Sequence, residues 1–246
     1  MTDNAQIVLC IPTRHRPLRI RETLKSINET VQDYSAVQIA IYVDNDDTMT
    51  HEQTLQEEFK NLNILCVRGD RVDGSERYNI LADKTKANIL GYFADDVIFI
   101  STAWEKQAMK LFDEISDQIL LINPWNGNSP RLTNKKATHG FVSRKSTEIV
   151  GTFFPHGFIE FFHDSWLTEV YSKLGRIRSS HKISVVHKSF RVERTLKDDI
   201  YKRGDAIMPN GRTLMDNMQE LYLSYDKVKE REMWVEKLKG YILNAS

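Results

Sequence analysis

Three times in the first hundred residues a short apolar run stops at a cluster of polar, mostly ionisable side chains. Ile7-Val-Leu-Cys-Ile11 meets Pro12-Thr-Arg-His-Arg16, Val37 to Val43 meets Asp44-Asn-Asp-Asp47, and Ile89 to Phe93 meets Ala94-Asp95-Asp96. Runs this short and this apolar suit strands buried on both faces, which is the signature of a parallel sheet. Helical spacing fills the intervals. Pro17 suits a first helical turn, where its missing N–H costs nothing, and Ile20, Leu24, Ile27 and Val31 follow at steps of three and four. Leu55 and Phe59 share a second helix face, Asn63 to Val67 reads as a further strand, and Ser75 is expected to cap a helix holding Tyr78 and Leu81. Alternating strands and helices predict an α/β fold, with a mostly parallel central sheet flanked by helices on both faces.

The second half is less regular. Trp104 to Ile115 reads as a helix, Ile119 to Ile122 as a strand, and Asn123 to Gly140 as loop. Gly151 to Phe158 is turn-rich and aromatic, Asp164 to Leu174 helical, and Ile183 to His187 a strand ending in histidine. From Leu214 the tail repeats Leu214, Met218, Leu221, Tyr225, Val228, Val235 and Ile242 at helical spacing. An amphipathic helix pair packed on the domain accounts for that stripe, and a homodimer seam is the sharper reading.

The 246 residues fit one large domain with a helical appendage, divided here as 1–205 and 206–246, the first part falling into halves to about residue 100 and from about 101 to 205. Lys plus Arg and Asp plus Glu each total 34, so no chain-wide attraction to nucleic acid or an anionic membrane is expected. No stretch has the apolar length of a membrane span, and the polar N-terminus leads to the expectation of a cytoplasmic protein. Cys10 and Cys66 lie in apolar runs and read as reduced core residues.

Ligands of open α/β sheets bind outside the carboxyl ends of the strands. Carboxylates alone would repel on that rim. They need a cation, hydroxyls, a base edge or arginines, and Arg14, Arg16, Arg68, Arg71 and Arg77 stand in the adjoining loops. Acids, arginines and a hard cation together suit a nucleoside diphosphate.

The order of strand-Pro12-Thr-Arg14, Tyr42-Val-Asp-Asn-Asp-Asp-Thr48, Arg77-Tyr-Asn79 and Phe93-Ala-Asp-Asp-Val97 resembles the nucleotide-sugar glycosyltransferases of the GT-A fold, close to family 2. His163-Asp-Ser-Trp-Leu167 is similar to the segment that carries their catalytic base, and His187 to their later metal-ligand position. Asp198-Asp-Ile-Tyr201 resembles a helix start in short phage and bacterial members, which would place a phage-encoded protein in the host cytoplasm. The resemblance runs from about residue 6 to 205. It implies an inverting transferase, dependent on Mn²⁺ or Mg²⁺, that moves a sugar from a nucleotide-linked donor, uridine diphosphate favoured, to an acceptor hydroxyl. Pro12, Thr13, Arg14, Arg16, Asp44, Asp46, Arg77 and Asp95 would bind the donor, Asp96 and His187 the metal, and Asp164 would be the base. Adjacent aspartates replace the commoner spaced pair, so Asp95 and Asp96 compete for the metal, and both reach it only if the strand has already turned. Glu160 rivals Asp164, because an apolar setting beside two phenylalanines would raise a carboxyl pKa.

The acceptor is a glycan or, by the phage resemblance, a base in DNA. Trp125, Phe153, Phe154, Phe158, Phe161 and Phe162 offer an aromatic platform, about half of it core. Arg131, Lys135, Lys136, Lys182, Lys188, Arg191, Arg194, Lys197, Lys202 and Arg203 supply basic charge, and His139, His156 and His163 lie in the acceptor loops. Binding of a nucleotide sugar without transfer is the alternative function.

Overall fold

The structure is a computed structural model, and it describes residues 5–127, 136–188, 202 and 205–245. Eight strands form one sheet: β1 (Ile7–Thr13), β2 (Val37–Asp44), β3 (Asn63–Gly69), β4 (Ile89–Tyr92), β5 (Val97–Phe99), β6 (Leu121–Asn126), β7 (Gly140–Ser143) and β8 (Ile177–His187). Their spatial order is β3-β2-β1-β4-β7-β6-β8-β5. The first four are parallel neighbours, as the alternation predicts. The other half is mixed: β7 runs antiparallel to β4 and β6, β8 parallel to β6, and β5 antiparallel to β8.

Among the described residues there are eight α-helices. These are α1 (Pro17–Thr30), α2 (Glu52–Glu58), α3 (Gly74–Asp83), α4 (Trp104–Asp113), α5 (Arg144–Val150), α6 (His163–Lys173), α7 (Leu214–Leu223) and α8 (Tyr225–Ala245). Strand alternation divides the core by sheet face. Ile7, Leu9 and Ile11 of β1 join Ile20, Leu24 and Ile27 of α1 on one side. Val8 and Cys10 face Tyr78 and Leu81 of α3 on the other, with Trp166, Met218 and Trp234 further along the same cluster. Leu214, Met218, Leu221, Val235 and Ile242 of the tail's apolar stripe thus lie against the domain while Tyr225 is exposed, and α8 packs on α5 and α6. Both cysteines are unpaired, Cys10 buried and its thiol pushed up to about 12 by that burial.

Two local expectations need correction and one helix start shifts. The segment 123–140 is not all loop: β6 continues through Asn123-Pro-Trp-Asn126, and β7 begins at Gly140. Pro124 is tolerated inside a strand because the pairing with β8 shifts register between Pro124 and Trp125, at a bulge. Ser75 does not cap α3. The helix starts at Gly74, and the amides of Gly74 and Ser75 donate instead to the carbonyls of Ile159 and Phe158. The helix read from Asp164 starts one residue earlier, at His163, so Asp164 lies in the first turn of α6 and Phe162, at φ 73°, takes the cap position.

Candidate active site

Strand order decides which side chains meet. β1 lies between β2 and β4, so its terminal cluster sits between the other two. Arg14 turns toward β2: its Nε lies 3.2 Å from Asp44 Oδ2, and its Nη2 donates to Asp46 Oδ2 at 2.7 Å. Arg16 turns toward β4, donating to Asp95 Oδ1 at 2.7 Å with Asp96 Oδ2 at 3.8 Å. Thr13 Oγ1 donates to the second oxygen of Asp95 at 2.7 Å. Pro12 and Thr13 close β1, paired with Tyr42 and Val43 of β2.

Asp44 is fully buried, and among the described residues neither of its carboxylate oxygens has a hydrogen-bond partner. Arg14 and Arg77 stand near it, Arg77 Nε at 3.5 Å from Oδ1. Burial pushes the Asp44 carboxyl above the usual range against the pull of Arg77 and Arg14. A buried carboxylate with open acceptor positions is costly unless something donates to it. Arg77 Nη2 also lies 3.7 Å from Glu160 Oε1, so α3 links this pocket to the aromatic loop.

Asp95 and Asp96 occupy the turn between β4 and β5, where the chain has left the strand. Asp95 is consumed by Thr13 and Arg16; burial raises its carboxyl, with Arg16 opposing. Asp96 faces the other way. The β5–β8 pairing sets Val97 opposite His187, and His187 Nε2 comes within 3.1 Å of Asp96 Oδ1. Burial alone would raise Asp96, but His187 and Arg16 hold it below the usual carboxylate range.

Asp96 Oδ1 and His187 Nε2 thus converge from two strands, a carboxylate oxygen and an imidazole nitrogen that suit a Mn²⁺-type cation. Asp96 Oδ1 is buried, and its contact with His187 Nε2 is the one a cation between the two would replace. No group of three or more His, Cys, Asp or Glu side chains converges as a metal site among the described residues. Two protein ligands are few, yet cations that bind diphosphates take much of their shell from phosphate and water.

His139, read from the sequence as an acceptor-loop residue, lies beside the Asp96–His187 pair. It precedes β7, buried, its ring stacked on Phe93 and 4.6 Å from the ring of His187. Burial drives its pKa well below the ordinary histidine value, so it is neutral. No local pattern announces it, because β7 is four residues long and its full-length pairing is with β4, far back in the chain. Gly140 does carry a signal: a Cβ there would lie 2.6 Å from Ile122 O, so only glycine threads that point.

Asp164 is buried, accepts from Ser165 N at 2.8 Å, and has Lys136 Nζ 3.1 Å from Oδ2. Of the aromatic residues, Phe153, Phe154 and Phe158 are core, while Trp125, Phe161 and Phe162 are partly exposed. His163 packs between Tyr78 and Phe154, and His156 is exposed beside Glu76. Among the basic residues Lys188 pairs with Glu22 and Lys182 is exposed. Arg131, Lys135, Arg191, Arg194, Lys197, Arg203 and the Asp198–Tyr201 segment lie outside the described residues.

No protein-family model matches the chain, and no curated protein matches it in sequence. Solved structures do. PcManGT, a mannosyltransferase from Pyrobaculum calidifontis in complex with GDP-Man and Mn²⁺, matches with a TM-score of 0.62 at 12% identity, over 98% of this chain and 86% of that one. S. aureus TarS matches with a TM-score of 0.59 at 12% identity, over 91% of this chain but only 44% of that one. Its 1–349 fragment in complex with UDP-GlcNAc gives 0.56 at 15%, over 98% of this chain and 82% of that one. The chain therefore carries the GT-A glycosyltransferase fold, with its acidic and basic rim at the carboxyl ends of β1, β2 and β4.

Proposed function

We propose that the protein is a divalent-cation-dependent, inverting glycosyltransferase that uses a nucleotide-sugar donor, with UDP the favoured carrier. The observation that carries this reading is Asp44: fully buried, flanked by Arg14 and Arg77, and with both oxygens open to a donor such as a nucleobase imide. Fold neighbours crystallised with UDP, UDP-GlcNAc or GDP-Man and Mn²⁺ support it.

In this reading Pro12, Thr13, Arg14, Asp44 and Asp46 form the base pocket, and Arg77 steadies Asp44 on the diphosphate side. Arg16 and Thr13 hold Asp95 toward the ribose, and Asp96 with His187 would hold Mn²⁺ or Mg²⁺. When bound, the cation supplies positive charge against the charge that builds on the leaving diphosphate. The acceptor hydroxyl oxygen attacks the anomeric carbon as the bond to phosphate breaks, and Asp164 takes the hydroxyl proton, a contribution of roughly 10²–10⁴-fold. A single base with attack opposite the leaving group gives inversion. Lys136 orients the Asp164 carboxylate from 3.1 Å.

Calorimetric titration with UDP, with and without Mn²⁺, tests the donor site, and Asp164→Asn tests the chemistry. Lost transfer with UDP binding retained fits the enzyme. Unchanged transfer removes Asp164 as base and passes the role to Glu160. Binding without any transfer favours the alternative, a nucleotide-sugar binder in which the Lys136–Asp164 pair is structural. A glycan hydroxyl is the proposed acceptor, since Lys136 and Lys188 are engaged by acids of the same chain. Transfer that collapses steeply with added salt would point to DNA instead.

A further inference from the structure

Arg14 and Arg16 are two residues apart, yet they serve opposite ends of the rim. Between them His15 adopts φ 55°, a left-handed conformation that L side chains rarely adopt. What holds it there is Asp47. Its Oδ2 accepts from His15 N at 2.8 Å and from Thr50 Oγ1 at 2.7 Å. Its Oδ1 accepts from Met49 N at 2.8 Å and Thr50 N at 3.0 Å, with His15 Nδ1 at 3.5 Å. The side chain is buried, and Arg68 Nη1 fixes the same turn from outside by donating to the carbonyls of Asp44 and Asp47.

We infer that Asp47 is a positioning residue of the donor site: by pinning the His15 amide in its left-handed turn, it splays Arg14 onto Asp44 and Asp46 and Arg16 onto Asp95 and Asp96. The inference rests on the nucleotide reading above. Asp47 itself touches no ligand. Its four donors leave its carboxylate no capacity for one, which separates it from Asp44, whose oxygens are open. Without Asp47 the His15 backbone relaxes toward negative φ, and the two guanidinium groups lose their fixed separation.

The test is Asp47→Asn, which puts an amide N–H₂ where one of the donors now finds an oxygen. UDP affinity should fall at least tenfold by calorimetry, while circular dichroism shows the fold retained. Asp47→Asn combined with His15→Gly should recover most of that loss, because glycine adopts positive φ without help. A purely structural role would lower the melting temperature, and His15→Gly would not restore UDP binding. If Asp47→Asn does not fold, Thr50→Val removes one of the carboxylate's donors and should weaken UDP at least twofold, again with rescue by His15→Gly. Normal UDP affinity in the single variants, or failure of the rescue, overturns the inference while the unaltered protein still binds UDP. No UDP binding by the unaltered protein overturns the nucleotide reading, and this inference with it.

Discussion

Replacing Gly74 with alanine would test the joint between the two halves of the site. A Cβ at Gly74 would stand 2.6 Å from Ile159 O and 3.3 Å from Glu160 Cα. Both are backbone atoms, so no side chain can swing away, and the carbonyl is about 0.8 Å inside an ordinary contact of about 3.4 Å. Overpacking of this kind costs about 1–3 kcal/mol. The chain can escape by drawing the loop off α3, which loses the bonds from the amides of Gly74 and Ser75 at about 1 kcal/mol each. Alanine's better helix propensity is worth about 1 kcal/mol in a helix interior and returns little at the first position of α3, so the net loss stays at about 1–3 kcal/mol. For a chain of this size that lowers Tm by about 2–12 °C, read by differential scanning calorimetry. UDP affinity should fall too, because Arg77 sits one turn along α3 and bridges Asp44 and Glu160. Gly240, in α8 with nothing near its would-be Cβ, is the control: the same substitution there should stabilise by up to about 1 kcal/mol. A Gly74→Ala protein as stable as the parent would refute the docked arrangement of α3 and the 158–160 segment.

Three further outcomes are expected. Arg231, buried between Trp166 and Tyr222 and 3.1 Å from Glu169, should cost about 2–3 kcal/mol when changed to alanine, and it should lower a single melting transition rather than release an earlier one. Two separate transitions would mean that α7 and α8 unfold on their own. Burial holds His163 and His139 below the usual histidine pKa, so under about pH 6.5 the unfolded chain binds protons that the folded chain refuses. Stability should be full above that pH and fall below it by up to about 1.4 kcal/mol per pH unit per histidine. Urea melts at stepped pH should show His163→Phe with the shallower slope. Finally, Mn²⁺ at a hundred times its Kd should add about 2.7 kcal/mol to the UDP-bound protein. Asp96→Asn should abolish that increment, and an undiminished increment would place the cation elsewhere.

Much of the donor half is legible in the sequence because its determinants are local. Apolar runs of strand length, helical spacing after Pro17, and polar clusters at run ends fix four parallel strands and their rim without any distant contact. Asp44, the Asp95–Asp96 pair and His187 stand at or just past the ends of apolar runs, and the family resemblance singled out Asp96 and His187 among them. The mixed half resisted the same treatment. β7 has four residues and pairs along its length with β4, and β6 carries a proline at a bulge in its pairing with β8; both of those partners are far away in the chain. Hence His139 and the capping of α3 by a loop some eighty residues on left no local trace.

What the sequence determined by itself is the chemistry on offer: carboxylates, arginines and histidines at the carboxyl ends of buried strands. Only the tertiary structure decided who meets whom. Placing β1 between β2 and β4 sends Arg14 and Arg16 to opposite acids, and pairing β5 with β8 brings His187 to Asp96 and leaves Asp95 to Thr13 and Arg16. The physical reason is that strand neighbours are chosen by burial of whole faces across long sequence separations, while propensity and periodicity act over a few residues at a time.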